Sequence, residues 1–106
     1  VIIINVRFRV RPELAEQWPE LTREFTEATR AEEGNLWFDW SRSLDDPNEY
    51  VLLEAFKDDA AEAHVGSDHF KKAMVDMKQW ITETPRILNT VVPGEEWNSM
   101  GELQVD

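Results

Sequence analysis

The chain has 106 residues, with 22 acidic and 11 basic side chains for a net charge of −11, and it contains no cysteine. That length holds one domain. The missing thiols exclude a disulfide scaffold, thiolate metal sites and a cysteine nucleophile, and the acidity argues against phosphate backbones and anionic membranes as partners.

No apolar run nears the ~20 residues of a membrane span, and no basic-then-apolar leader opens the chain, so a cytoplasmic protein is expected. Residues 1–10 read VIIINVRFRV. Ile2, Ile4, Val6, Phe8 and Val10 alternate with Asn5, Arg7 and Arg9, which predicts a strand with one oily face. Pro12 suits the first turn of a helix. Leu14, Trp18, Leu21, Phe25 and Ala28 then recur at helical spacing, predicting an amphipathic helix over residues 13–31 that Pro19 kinks and Gly34 stops.

Residues 35–44 alternate again, through Leu36, Phe38 and Trp40. Asp45-Asp46-Pro47-Asn48 is turn chemistry. Residues 50–57 form a third strand, so residues 35–57 read as a β-hairpin. Asp58 is expected to cap a short helix through Ala60, Ala61 and Ala63, and Ser67 to cap the next. The buried stripe of that helix is Phe70, Met74, Met77 and Ile81, and Pro85 ends it. Residues 87–92 make a last strand. The chain divides into a domain over residues 1–93 and an acidic tail or arm over residues 94–106, which carries Trp97, Met100 and Leu103.

The order β-α-β-β-α-β is the ferredoxin-like α+β pattern, a four-stranded antiparallel sheet with helices on one face. Ile3 lies opposite the apolar face of the first strand, and the third strand carries Val51 and Leu53 on one side and Leu52 and Phe56 on the other, so both sheet faces are oily and two helices cannot cover both. A second copy packed sheet to sheet would bury the uncovered one, so a homodimer is expected.

Four polar residues stand out. Asn5 interrupts a run of Ile and Val, and Glu54 lies between Leu53 and Ala55 in a strand. A buried amide needs a hydrogen-bond partner, and a buried carboxyl needs a counter-charge or a raised pKa. Glu54 reads equally well as a cross-strand partner of Arg7, Arg9 or Arg42. His64 and His69 flank a helix junction five residues apart, a spacing compatible with two imidazoles at one cavity mouth for acid or base work and equally with a helix-end cap or a bond to a neighbouring backbone carbonyl. With no third carboxylate in register, no metal site is expected. Five Trp and five Phe supply walls for a flat ring, and helix and strand periodicity nominates Trp40, Phe56, Phe70 and Met74.

Four stretches together resemble the antibiotic biosynthesis monooxygenase family. They are Ile3-Ile4-Asn5-Val6-Arg7 leading to Pro12, Glu32-Glu33-Gly34-Asn35-Leu36-Trp37-Phe38-Asp39, Leu44-Asp45-Asp46-Pro47-Asn48, and Glu54-Ala55-Phe56-Lys57-Asp58 followed by Ala63-His64 and Ser67-Asp68-His69-Phe70. The resemblance implies a dimeric α+β barrel with a pocket between sheet and helices. It implies a monooxygenase that oxidises a phenol or quinol with O2 and no bound metal or flavin. In that reading His64 is the base or a hydrogen-bond partner, Asn5 holds the substrate oxygen or an oxygen intermediate, and Glu54, His69 and Phe70 complete the motif. A relative of similar pattern isomerises a phosphorylated keto-sugar signal of the autoinducer-2 type, which here would use His64 and Glu54 with a cationic anchor from Arg7, Arg9 or Arg42. A non-catalytic small-molecule-binding dimer is the third expectation.

Overall fold

The computed structural model describes residues 1–106. The strands are β1 (Ile2–Arg9), β2 (Asn35–Arg42), β3 (Glu49–Phe56) and β4 (Arg86–Val91). They form one antiparallel sheet in the order β2-β3-β1-β4. The helices are α1 (Trp18–Leu21), α2 (Arg23–Arg30), α3 (Ala60–Val65) and α4 (Asp68–Met77). This is the ferredoxin-like α+β arrangement, and no helix is long and apolar enough to cross a membrane.

The core lies between the inner face of the sheet and the helices. Val6, Phe8, Phe38, Tyr50 and Leu52 meet Trp18, Phe25, Ala73 and Met77 there. Trp18 is fully buried and sits edge-on to Trp40, with ring centroids 5.6 Å apart. Period two in β1 therefore places its apolar face as its alternation dictates.

The long first helix is broken. Pro12–Gln17 is a 3-10 turn, and the helical segments on either side of Thr22 are separate. Pro19 lies in the first turn of α1, where its missing N–H costs least. The buried face of this region includes Thr22, Thr26 and Thr29 beside Trp18 and Phe25. Thr22 and Thr26 return their hydroxyls to the carbonyls of Trp18 and Thr22, each at 2.8 Å, which satisfies a polar group inside an apolar stripe.

The cap of α3 also differs from expectation. The residue before α3 is Asp59, in the left-handed region at φ 70°, and its side chain caps nothing. The Asp58 carboxylate is engaged instead by the Val1 amine at 2.7 Å. Ser67 does cap α4, its Oγ accepting from the Phe70 N–H at 3.2 Å. Of the stripe expected on α4, Met77 is buried while Met74 is partly exposed at a cavity mouth. Residues 92–106 add no helix or strand, and the Trp97 ring lies 5.0 Å from Trp37.

Candidate active site

His64 lies in the last turn of α3 with its ring inside the protein, at 4% exposure. Three aromatic rings fix it: Phe56 at 4.8 Å, Phe70 at 5.1 Å and Phe25 at 5.8 Å between centroids. The Ser67 hydroxyl donates to the His64 carbonyl at 2.6 Å and ties the α3–α4 junction.

Glu54 faces the same interior from β3. It sits opposite Ile4 on one side and Phe38 on the other, so its side chain shares the inner face. Its Oε1 lies 3.8 Å from His64 Nε2 and has no hydrogen-bond partner. Burial pushes the Glu54 carboxyl up to about 7, and the negative charge of Glu32 adds to the rise. None of the three arginines offered as cross-strand partners reaches it. Arg7 pairs with Glu49, Arg9 with Asp46 and Glu83, and Arg42 with Glu16.

These two polar groups border an apolar chamber of about 250 Å³. Its floor is Ile4, Val6, Phe8 and Leu52 of the sheet, and its roof is Phe25, Phe70, Met74 and Met77. Val65, Pro85 and Ile87 complete the lining, and no lysine or arginine borders it. Val65 and Ile87 are exposed and Met74 partly so, which gives the chamber an oily mouth.

Glu32, which sequence reasoning passed over as a functional residue, holds the far side of His64. Its Oε2 stands 2.7 Å from His64 Nδ1 and 2.5 Å from His69 Nε2. The turn that carries it is pinned at both ends: Glu32 N–H donates to the Thr29 carbonyl at 3.0 Å, and the Gly34 carbonyl accepts from Lys57 N–H at 2.8 Å. A side chain on Gly34 would collide with the Ala60 methyl, so only glycine lets the start of α3 lie against this turn.

The third carboxylate missing from the sequence argument for a metal is thus present, since one donor atom each from Glu32, His64 and His69 lies within 4.8 Å of the others. The two N···O separations of 2.5 and 2.7 Å are hydrogen-bond lengths, below the roughly 3.3 Å ligand–ligand edge of a tetrahedral zinc shell. As placed, the trio is hydrogen-bonded together through the Glu32 Oε2.

The family model described as "Antibiotic biosynthesis monooxygenase" matches residues 1–76. The chain belongs to that family. The Bacillus subtilis protein "Putative monooxygenase YcnE" is 28% identical over 91 residues, covering 85% of this chain and 96% of its own. A solved family structure from Nitrosomonas europaea superposes with a TM-score of 0.80 at 27% identity, over 89% of this chain and all of that one. One from Deinococcus radiodurans reaches a TM-score of 0.81 at 24% identity, over 95% of this chain and all of that one, and agrees in fold.

Of the site residues nominated from sequence, the structure brings His64, Glu54, Phe70 and Met74 to the chamber. It separates the other four. Asn5 precedes the inward Val6 and so faces outward, beside Arg7, Arg86 and Leu88, where it cannot meet a molecule held at His64 of the same chain. Trp40 packs against Phe8, Trp18 and Phe38 and donates its indole N–H to Thr26 Oγ1 at 2.9 Å, which makes it core instead of wall. Phe56, fully buried, backs the imidazole without lining the chamber. His69 faces a separate groove between α1–α2 and α4, bonds the site through Glu32, and its ring lies 6.0 Å from the His64 ring.

Proposed function

We propose that this family member is a monooxygenase that oxidises a phenol or quinol of one or two rings with O2, drawing the electrons from the substrate itself. One observation carries this reading. A bare imidazole nitrogen and an unpartnered carboxyl oxygen, 3.8 Å apart, converge on an otherwise apolar chamber. A single hydroxyl oxygen about 2.8 Å from each fits between them.

The chemistry follows from those positions. His64 Nε2 takes the hydroxyl proton as base. Glu54, neutral below about pH 7, donates its own proton as a hydrogen bond to the phenolate oxygen. A phenolate in an oily chamber is electron-rich enough to reduce O2 directly. The oxygen adds at a ring carbon, and loss of water leaves a carbonyl there. For a hydroquinone, one atom of O2 stays on the ring and the other leaves as water, carrying two hydrogens from the substrate. The product is a hydroxyquinone, and the substrate supplies every electron that O2 accepts, so the reaction balances.

Chamber size supports one or two rings. An apolar cavity of about 150 Å³ takes a benzene ring, and this one, at about 250 Å³, leaves room for a second fused ring. The phosphosugar alternative fits poorly, because a dianionic phosphate needs a cation and no lysine or arginine borders the chamber.

We infer further that the protein pairs through the outer sheet face. Leu53 and Leu88 are 43% and 76% exposed there, and Asn5 Oδ1 is buried without a partner on the same face. Full burial of an exposed leucine stabilises by roughly 1.5–3 kcal/mol, and each of these gains the share of it that its exposure leaves.

The test is an oxygen electrode with a panel of hydroquinones and naphthols. Uptake by the wild type that falls at least 100-fold in His64→Ala is expected. No uptake across the panel would overturn the reading.

A further inference from the structure

Glu32 lies outside the chamber, yet it meets the one His64 nitrogen that the chamber does not. Hydrogen bonds of 2.7 and 2.5 Å to His64 Nδ1 and His69 Nε2 each need a proton on the line between the atoms. An ionised carboxylate can only accept, so both rings donate: His64 carries its proton on Nδ1 and His69 on Nε2. A neutral His64 protonated on Nδ1 is bare at Nε2, and Nε2 is the nitrogen turned toward Glu54 and the chamber.

We propose that Glu32 is a positioning residue for the reaction. It fixes the tautomer and aim of His64 and balances the ring's charge when the substrate proton arrives, while His69 clamps Glu32 in place. The proposal rests on the reading of His64 as the base. The proton balance is simple. The substrate O–H bond breaks and an N–H bond forms at His64 Nε2. The ring then holds protons on both nitrogens, its positive charge 2.7 Å from the Glu32 oxygen. The proton later leaves with the oxygen atom released as water.

The surroundings favour this role. The Glu32 turn is held by backbone hydrogen bonds at both ends, and Phe56 and Phe70 pack the imidazole so that it cannot swing away. The charged or titratable side chains placed against His64 are Glu32 from the α2–β2 turn, Glu54 from β3 and His69 from α4. A carboxylate behind an imidazole is the arrangement that sets the tautomer in Ser-His-Asp triads, where replacing the carboxylate by an amide leaves the wrong tautomer and slows turnover about 10⁴-fold.

The chain has only two histidines, so long-range ¹H–¹⁵N spectra of the labelled protein at pH 8 resolve both, with His69→Asn giving the assignment. The wild type is expected to show His64 protonated on Nδ1 alone. Glu32→Ala should relax it to a mixture and lower kcat for a hydroquinone on the order of 100-fold or more, with KM within about threefold. Glu32→Gln, whose amide can present an N–H to Nδ1, should shift His64 toward the Nε2-protonated tautomer and lose kcat. Wild-type His64 protonated on Nε2 would overturn the proposal with no variant needed, as would Glu32→Ala turning over like the wild type. Absence of oxygen uptake by the wild type would instead fall on the monooxygenase reading, because the tautomer is read without substrate.

Discussion

His64 Nε2 and Glu54 Oε1 stand 3.8 Å apart, too far to bond each other and near enough for one oxygen atom to touch both. The pair is complete only when something polar enters the chamber.

Glu54 makes stability depend on pH. The carboxyl titrates near 4.5 in the unfolded chain and at about 7 in the folded protein. Between those values the folded state keeps a proton that the unfolded state has lost. Stability from this group is therefore intact below about pH 4.5 and falls as pH rises to about 7, by about 3 kcal/mol in all. Urea melts of the wild type and Glu54→Gln should differ most at pH 8, where the variant is the more stable, and converge toward pH 4.5.

The same ionisation should limit catalysis. In the proposed reaction, Glu54 above about pH 7 becomes an anion where the phenolate would form, and its donor is lost. The wild-type rate profile should fall on its alkaline side. Glu54→Gln keeps an N–H donor and should flatten that limb while lowering the peak rate.

Trp40 offers a control that separates core from wall. Trp40→Phe removes the indole bond to Thr26 and should cost on the order of 1 kcal/mol, lowering Tm by several degrees. Turnover per folded molecule should not change. A rise in KM would return Trp40 to the substrate.

Gly34 tests how the site is held. Gly34→Ala drives a methyl into Ala60 and must separate the Glu32 turn from α3. Overpacking of this kind costs about 1–3 kcal/mol. Thermal melts should show that loss, and activity should fall further than stability explains, because Glu32 and His64 move apart.

The outer face predicts assembly. Leu53→Lys with Leu88→Lys should leave the fold, read by circular dichroism, and convert a dimer to a monomer in sedimentation. A wild type that sediments as a monomer would remove the basis for that interface.

Much of the fold was legible because its signals are local. Period two in β1 and β2, turn residues at 45–48 and the Ser67 cap each act over a few residues. The threonine face of α1–α2 was not legible, because Thr22 and Thr26 count as polar until their hydroxyls are seen to bond within the helix. At the site, Glu54 and His64 showed themselves as polar residues in unsuitable company. Glu32 did not, since a glutamate in an acidic turn looks like solvated surface until α3 folds against it. Its neighbour Gly34 was the available signal, a glycine beside the motif where two backbones approach. Asn5 drew attention for the right reason, an amide among oily residues, but alternation sends it to the opposite side of the sheet.

Asn5 and Val6 are consecutive, and they look into different compartments. Successive codons of one strand can thus drift under separate selection, odd positions altering the outer sheet face and even positions altering the face turned to the core and chamber. A variant library along β1 should sort into two phenotypes by parity alone.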